Sequence, residues 1–210
     1  MARAPRRGQV HRALEPLLGP AGCVALQSAQ IAQAASWAQG LSPSAVYVAH
    51  DPPDAGQDLR PLVGTEPMLF PQNGEGIAGR LADAVTRVFA HSDAPLLIVW
   101  PDLPQLRAEH AGGALDDLGA GCDVVLGPAV DGGLYLIGIA HPVPELFGMP
   151  EQAWRSADVM TIGLATVREA GLELGILRAE RALHRPADVR AALADPLLPE
   201  GVGRILRRAA

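Results

Sequence analysis

Residues 96–139 decide the fold: they begin LLIVWPDLPQL and end CDVVLGPAVDGGLYLIGI. The apolar runs are short and continuous, and each leads into a Pro- or Gly-containing turn that carries a carboxylate, Asp102 or Asp131. Runs of this kind are typical of strands buried on both faces of a parallel sheet. Open α/β sheets bind ligands beyond the carboxyl ends of their strands. The sequence therefore predicts two acidic side chains at one rim, within reach of a metal or a polyhydroxylated substrate.

The rest of the chain alternates helix-like and strand-like segments, which predicts a largely parallel sheet covered on both faces. The predicted helices cover residues 21–39, 74–90, 105–118, 144–147 and 156–170, with Ser156 as an N-cap and Pro186 opening a last helix. The predicted strands cover residues 45–49, 68–70, 96–99, 123–126, 134–139 and 172–177. The Asp131 turn also fits an ordinary β-hairpin, so a ligand site and a hairpin both remain open here.

Composition narrows the class of protein. The 210 residues fit one α/β domain or at most two small ones, and the net charge of −6 argues against a broad nucleic-acid surface. No apolar run is long enough for a membrane span, and no apolar segment follows the basic N-terminus as in a secretory signal. Two separated cysteines imply neither a disulfide framework nor a metal knuckle. We therefore expect a cytoplasmic protein.

All 17 basic residues are arginine, which restricts how a phosphate could be bound. Without lysine, any side-chain cation on a phosphate must be arginine or histidine. Arg12 and Arg80 are candidates, although each could equally be a solvated or ion-paired arginine. Gly74 and Gly76 precede an amphipathic helix and could form a backbone nest for an anion at its N-terminus.

Several short motifs carry a resemblance to a known family. The most specific is GPAVDGG at residues 127–133, followed by LYLIGI; weaker matches occur in the same order at residues 4–20, 72–80, 100–104, 154–159 and 185–189. With these motifs nearly the whole chain resembles bacterial glycosyltransferase-A-like proteins, often labelled selenodomain-associated transferases. More distantly, it is similar to molybdenum-cofactor guanylyltransferases and phospholactate guanylyltransferases.

The resemblance implies a single domain over residues 1–210, a three-layer α/β/α sandwich of the nucleotide-diphospho-sugar transferase type. It implies a Mg²⁺ or Mn²⁺ ion that bridges the phosphates of a nucleotide or nucleotide-sugar, with Asp102 as the metal ligand. Asp131 would be the catalytic residue that orients the acceptor. The remaining site residues implied are the phosphate-binding Arg12, Gly74 and Arg80 and the substrate-binding Gly132, Gly133 and Trp154.

The chain also departs from the family pattern. The apolar strand that precedes the first motif is missing, and a partner's strand could fill that gap, which suggests a homodimer. His11 stands where the family has a lysine, Gly76 where it has an aspartate, and residues 182–186 read ALHRP instead of D-V-D-T-P. In that last segment His184 replaces an aspartate, and imidazole is a softer metal ligand than Mg²⁺ prefers.

Two functions follow from these matches and departures. The first is a metal-dependent transferase that moves a glycosyl or nucleotidyl group to a small-molecule acceptor whose identity the sequence leaves open. The alternative is a catalytically lapsed relative that acts as a binding or partner protein.

Overall fold

The computed structural model describes residues 1–208, which divide into two compact units. The first unit comprises residues 1–71, 100–107 and 181–208, and the second comprises residues 72–99 and 108–180. Each unit is therefore built from separate stretches of the chain. The expectation of a single domain over residues 1–210 stays a prediction.

The first unit contains three strands and four α-helices among its described residues. Its strands are β1 (Ala2–Arg3), β2 (Tyr47–Asp51) and β3 (Met68–Pro71). Its α-helices are α1 (Glu15–Gly40), α2 (Gly56–Val63), α8 (Pro186–Ala194) and α9 (Glu200–Arg207), and a 3₁₀ helix (Arg12–Leu14) precedes α1.

The second unit contains four strands and five helices. Its strands are β4 (Leu96–Val99), β5 (Val124–Pro128), β6 (Leu134–Ile139) and β7 (Leu174–Ile176). Its helices are α3 (Gly76–Phe89), α4 (Ala108–Gly119), α5 (Pro144–Phe147), α6 (Glu151–Trp154) and α7 (Val159–Glu169).

The first unit has a parallel sheet in the order β1-β2-β3. The apolar strand before the first motif was expected to be missing, and the structure has at this place only the two-residue β1, which is not an apolar run. Ala2 and Arg3 pair with His50 and Asp51 of β2, and the Ala4 amide extends the pairing to the Asp51 carbonyl at 2.8 Å. Two residues are too short for an apolar pattern to be visible in the sequence. The homodimer stays a prediction.

The second unit has a mixed sheet in the order β4-β6-β5-β7. β6 runs antiparallel to both β4 and β5, whereas β7 runs parallel to β5. The five residues between β5 and β6 are too few for a crossover between parallel strands, so the chain turns back as a hairpin. The hairpin interpretation of the Asp131 turn is thus confirmed, and β6 is an exception to the expected parallel order.

Several predicted helix boundaries need correction. α4 begins at Ala108 instead of residue 105. Gln105 lies before the helix, and its side chain donates a hydrogen bond to Asp195 Oδ2 at 3.2 Å. α7 begins at Val159 without a side-chain cap, so Ser156 is not its N-cap. The Ser156 hydroxyl instead accepts the Asp158 amide at 3.1 Å and donates to the Ala153 carbonyl at 3.0 Å.

The helices that the sequence did not predict are the short ones. α2 has eight residues with Pro61 inside it, α6 has four residues, and α9 has eight. Two turns give too few apolar positions to establish a helical period. α9 is held instead by its packing, since Val202 and Leu206 belong to a buried cluster with Leu14 and Leu26.

α1 contains a break that the sequence marks clearly. Gly19 adopts φ +66° and ψ 167°, outside the helical region, and Pro20 follows it. Glycine tolerates positive φ, and proline is compatible with the first turn of the helical segment that follows. This break explains why the helical pattern in the sequence begins at residue 21, although the helix as a whole starts at Glu15.

Candidate functional site

Asp102 lies in a turn of the first unit that backbone hydrogen bonds hold in place. Its carbonyl accepts the Leu183 amide at 2.9 Å, which ties the turn to the segment before α8. The Asp102 side chain is 32% exposed, so its carboxylate is open to a ligand. Its Oδ2 lies 3.5 Å from Nε2 of His184, whose side chain is 40% exposed. The structure therefore brings together two residues from separate motifs.

The backbone around His184 is held by a buried carboxylate. Asp188 is 8% exposed, and its Oδ2 accepts the amides of Arg185 at 2.8 Å and His184 at 3.2 Å. Its Oδ1 accepts a hydrogen bond from Arg181 at 3.0 Å. A carboxylate in the first turn caps the N-terminus of α8, which Pro186 opens as expected. The sequence analysis missed Asp188, although an acidic residue two positions after a helix-opening proline is a recognisable capping signal.

His11 is the second histidine near Asp102. It adopts φ +47°, a left-handed conformation that is uncommon for a non-glycine residue, and its Nε2 is buried without a hydrogen-bond partner. Burial lowers the pKa of His11, the Asp102 carboxylate opposes that change, and His184 adds to it. His11 is therefore a neutral group at physiological pH and cannot replace the family's lysine as a cation.

Polar groups deeper in the first unit are also left without partners. Gln30 of α1 is fully buried beside the His11 imidazole, where its amide opposes the lowering of the His11 pKa, although neither amide atom reaches good hydrogen-bond geometry. Gln27, one turn earlier, donates to the Arg3 carbonyl at 2.9 Å and so holds β1 against α1. Arg12 is exposed on the 3₁₀ helix, and its role in phosphate binding stays a prediction.

A small cavity of about 130 Å³ lies beside the same two segments of the first unit. Gln105, Arg181, Asp188 and Asp195 are among its lining residues. The Arg181–Asp188 and Gln105–Asp195 pairs are already bonded to each other, at 3.0 and 3.2 Å. The polar groups of the cavity are thus committed largely to the protein itself.

In the second unit, the Asp131 turn is a tightly bonded loop. Asp131 Oδ1 accepts the Gly133 amide at 3.1 Å, and the Gly133 carbonyl accepts the Ala129 amide at 2.8 Å. Gly132 has φ +93°, and a Cβ at this position would overlap the carbonyl of Ala157. The glycine pair therefore has a structural reason: Gly132 makes room for the backbone before α7. The roles of Asp131, Gly132 and Gly133 toward a substrate stay predictions.

The sequence analysis also missed the group of residues beneath this turn. Tyr135 lies over Gly127, where a Cβ would come within 2.7 Å of the phenol ring. Its hydroxyl donates to the Arg178 carbonyl at 3.2 Å, and burial raises the pKa of Tyr135 to about 12. Its ring meets that of His110 edge-on, with the centroids 5.5 Å apart. β6 is a continuous apolar run in which every residue after Leu134 is buried, so the sequence predicts that Tyr135 is buried but does not reveal these neighbours.

Glu180 connects this group to the Asp131 turn. Its carbonyl accepts the Val130 amide at 2.9 Å, and its amide donates to the Pro128 carbonyl at 3.0 Å. Its carboxylate lies 3.2 Å from His110 Nε2 and 2.6 Å from Arg178 Nη2. Burial opposes ionisation of Glu180, but Arg178 and His110 hold its pKa below the usual range. Glu180 therefore stays ionised and holds the base of the turn.

The predicted anion nest exists, but a carboxylate of the protein occupies it. The amide of Ile77 donates to Glu151 Oε2 at 2.7 Å, and that of Ala78 approaches the same oxygen at 3.4 Å. Arg155 binds the other oxygen of Glu151 at 2.6 Å. Burial opposes ionisation of Glu151, but Arg155 and the two amides hold its pKa below the usual range. Gly76 has φ +67°, and a side chain there would overlap Glu151.

The other predicted nucleotide and substrate residues of this unit have clear positions. Gly74 has φ +106°, and a Cβ on it would come within 2.6 Å of the Gly79 backbone, so it makes room for the start of α3. Arg80 lies partly exposed on α3. Trp154 is only 8% exposed and stacks on Phe147 with the ring centroids 6.4 Å apart. The proposed ligand roles of Gly74, Arg80 and Trp154 stay predictions.

A divalent cation would find few protein ligands at Asp102. Among residues 1–208, no three His, Cys, Asp or Glu side chains cluster as a metal site. Mg²⁺ often takes only one or two protein carboxylates and completes its coordination with phosphates and water. A partly exposed carboxylate on a rigid turn fits that mode of binding, with Asp102 as one ligand. None of the helices in the described part of the chain is long and apolar enough to cross a membrane.

The fold and these turns define a class of protein: an α/β protein with the glycosyltransferase-A-like fold. The chain belongs to the family described as "Uncharacterized protein conserved in bacteria (DUF2064)", which it matches over residues 34–151. It is similar in structure to a protein from Desulfovibrio desulfuricans G20 that is described provisionally as a nucleotide-diphospho-sugar transferase. The two share 24% sequence identity with a TM-score of 0.84, over 99% of this chain and 91% of the other. No curated protein matches the chain significantly in sequence. The predicted fold class is thus confirmed.

Proposed function

We propose that this chain binds a nucleotide or nucleotide-sugar with a divalent cation, Mg²⁺ or Mn²⁺, and transfers a glycosyl or nucleotidyl group to a small-molecule acceptor. The main support is the similarity of fold, over almost the whole chain, to a protein described provisionally as a nucleotide-diphospho-sugar transferase. The partly exposed Asp102 carboxylate adds a group that can ligate the cation.

In this proposal the protein contributes mainly positioning and charge. Asp102 binds the cation, and the bound cation would neutralise charge that develops on the leaving phosphate. Arg12, which belongs to the same unit as Asp102, supplies positive charge for the phosphates. The hydrogen bond between the Asp102 carbonyl and the Leu183 amide keeps the Asp102 turn from rearranging when the ligand binds. The roles of Arg80 and Asp131, which belong to the other unit, stay predictions.

A second candidate has its own supporting observation. The Ile77 and Ala78 amides, at the segment expected to receive a nucleotide phosphate, already bind the Glu151 carboxylate. A protein that no longer binds phosphate there could keep the fold and act as a binding or partner protein. This alternative requires that folded protein bind no nucleotide, with or without a cation.

The experiment that separates the two candidates is calorimetric titration with nucleoside triphosphates and nucleotide-sugars, each with and without Mn²⁺. Wild-type protein is compared with Asp102→Ala and with Asp93→Ala, which removes an exposed carboxylate from the loop before β4. Cation-dependent binding that is lost only in Asp102→Ala supports the transferase. If all three folded proteins fail to bind any compound, the transferase proposal is wrong and the partner-protein candidate is favoured.

A further inference from the structure

The small cavity of the first unit contains a buried acceptor without a partner. The Gln105 amide nitrogen donates to Asp195 Oδ2 at 3.2 Å, so the amide oxygen is not the atom that meets this carboxylate. Exchanging the two amide atoms would set an oxygen against a carboxylate, which fixes their assignment. The amide oxygen of Gln105, Oε1, is buried and accepts no hydrogen bond. A buried acceptor without a hydrogen bond is costly, so this atom favours a ligand that donates one.

The lining of the cavity also carries one negative charge in excess. Its charged residues are Arg181, Asp188 and Asp195. Arg181 is paired with one oxygen of Asp188 at 3.0 Å, and the other oxygen accepts two backbone amides. The donors to Asp195 are neutral: the Leu197 amide at 2.8 Å and the Gln105 side chain at 3.2 Å. Within the described residues no cation balances the Asp195 carboxylate, so a ligand with one positive charge complements the cavity.

The rest of the lining is apolar, and the volume limits the size of a ligand. Pro104, Leu183, Ala191 and Ala192 complete the wall. The volume of about 130 Å³ is close to the roughly 150 Å³ of an engineered cavity that binds benzene, so a ligand of about six non-hydrogen atoms fits. A positive group on a short alkyl chain matches both parts of the wall, because its charge meets Asp195 and its methylene groups pack against the apolar side chains.

We propose that this cavity binds the ammonium group of a small primary amine. An ammonium has three N–H donors, enough for both Gln105 Oε1 and the Asp195 carboxylate. The cavity adjoins the Asp102 turn through Pro104 and through Leu183, whose amide donates to the Asp102 carbonyl at 2.9 Å. The amine-bearing molecule is thereby placed to serve as the acceptor, and this role, unlike the binding itself, rests on the proposed function.

The test is an NMR titration of isotope-labelled protein with n-butylammonium chloride in an amine-free buffer. n-Butanol has nearly the same shape without the charge, and NaCl supplies a bare cation. The variants are Asp195→Asn, which removes the charge, and Gln105→Met, which removes the unpartnered oxygen. Asp93→Asn is the control, since it makes the same change at an exposed carboxylate of the second unit. The Leu197 amide, which bonds Asp195, reports on the cavity directly.

We expect wild type and Asp93→Asn to bind n-butylammonium with a Kd below about 10 mM, and n-butanol at least about tenfold more weakly. Asp195→Asn and Gln105→Met should each weaken amine binding by about tenfold or more, because each removes an acceptor for a charged donor. If the amine at about 50 mM leaves the Leu197 resonance unmoved, the inference is overturned. Equal effects of n-butanol or Na⁺, or an amine affinity unchanged in either variant, also overturn it.

Calorimetric titration with nucleotide and Mn²⁺ separates this inference from the proposed function. If the amine binds through Asp195 but no nucleotide binds, the amine site is supported and the transferase proposal is wrong. If nucleotide binds with Mn²⁺ but the amine does not, the transferase proposal is supported and the amine site is overturned.

Where both bind, simultaneous binding supports the acceptor role, and mutually exclusive binding overturns that role. The comparison of n-butylammonium with n-butanol uses wild-type protein alone, so the test stays valid if either variant fails to fold.

Discussion

Replacing Gly132 by alanine should destabilise the protein strongly. Gly132 has φ +93°, a conformation that costs a residue with a Cβ about 1–2 kcal/mol. The added Cβ would also overlap the Ala157 carbonyl, and forcing extra volume into a packed site costs about 1–3 kcal/mol. Together these terms predict a loss of about 2–5 kcal/mol, which for a chain of this size lowers Tm by roughly 4–20 °C.

The assay is urea denaturation, supported by calorimetric melting, with Gly112→Ala as a matched control. Gly112 lies in α4, and a Cβ there would meet no atom within 4 Å. The same chemical change at Gly112 should therefore stabilise the protein by about 0.5–1 kcal/mol, because alanine is the better helix former. If Gly132→Ala unfolds within about 0.5 kcal/mol of wild type, the close approach of Ala157 cannot be real and our account of the turn is wrong.

Three further substitutions test other contacts by chemical denaturation. Glu151→Ala removes the carboxylate from the Ile77 amide and should cost about 1 kcal/mol near neutral pH. Folding lowers the pKa of Glu151, so the carboxylate stabilises the folded protein fully above its unfolded pKa. This stabilisation is lost as the pH falls through the folded pKa. A destabilisation by Glu151→Ala that is as large in acid as at neutral pH would contradict this account. Asp188→Ala removes a buried capping carboxylate and should cost about 2–3 kcal/mol, and a loss under about 0.5 kcal/mol would refute that role. His141→Asn breaks the 2.8 Å contact with Asp123 and should cost less than about 1 kcal/mol, since the histidine is half exposed. Folding raises the pKa of His141, so the stability lost in His141→Asn should be largest below the unfolded pKa of the histidine. The loss should disappear as the pH rises through the folded pKa. Denaturation measured from about pH 5.5 to about pH 8.5 tests this pH dependence.

The sequence predicted the longer elements because their patterns repeat. The strands at residues 96–99 and 134–139 match β4 and β6, since each is a continuous apolar run bounded by Pro or Gly. The main helix of the first unit was also predicted, apart from its first turn before the break at Gly19. β1 and α2 were not, because two residues or two turns carry no measurable period. Their existence depends on partners distant in sequence.

The candidate site, like the fold, was only partly predictable from the sequence. The motifs alone identified Asp102, Asp131 and the glycine-rich segment at residue 74, because charged or flexible residues in turns after strands are recognisable in a linear sequence. They could not show that Glu151 occupies the N-terminus of α3, 74 residues from Ile77 along the chain. Nor could they place His184 beside Asp102, although both residues belong to segments that the sequence had singled out.

One physical cause separates the features that the sequence predicted from those that it did not. Periodic burial and turn chemistry are local properties, so the amino-acid order alone determined the α/β class and the residues that stand in its turns. Contacts such as Glu151 with Ile77, or Asp102 with His184, depend on how distant segments pack. Only the tertiary structure decided that a glutamate fills the predicted phosphate nest and that a histidine lies beside Asp102.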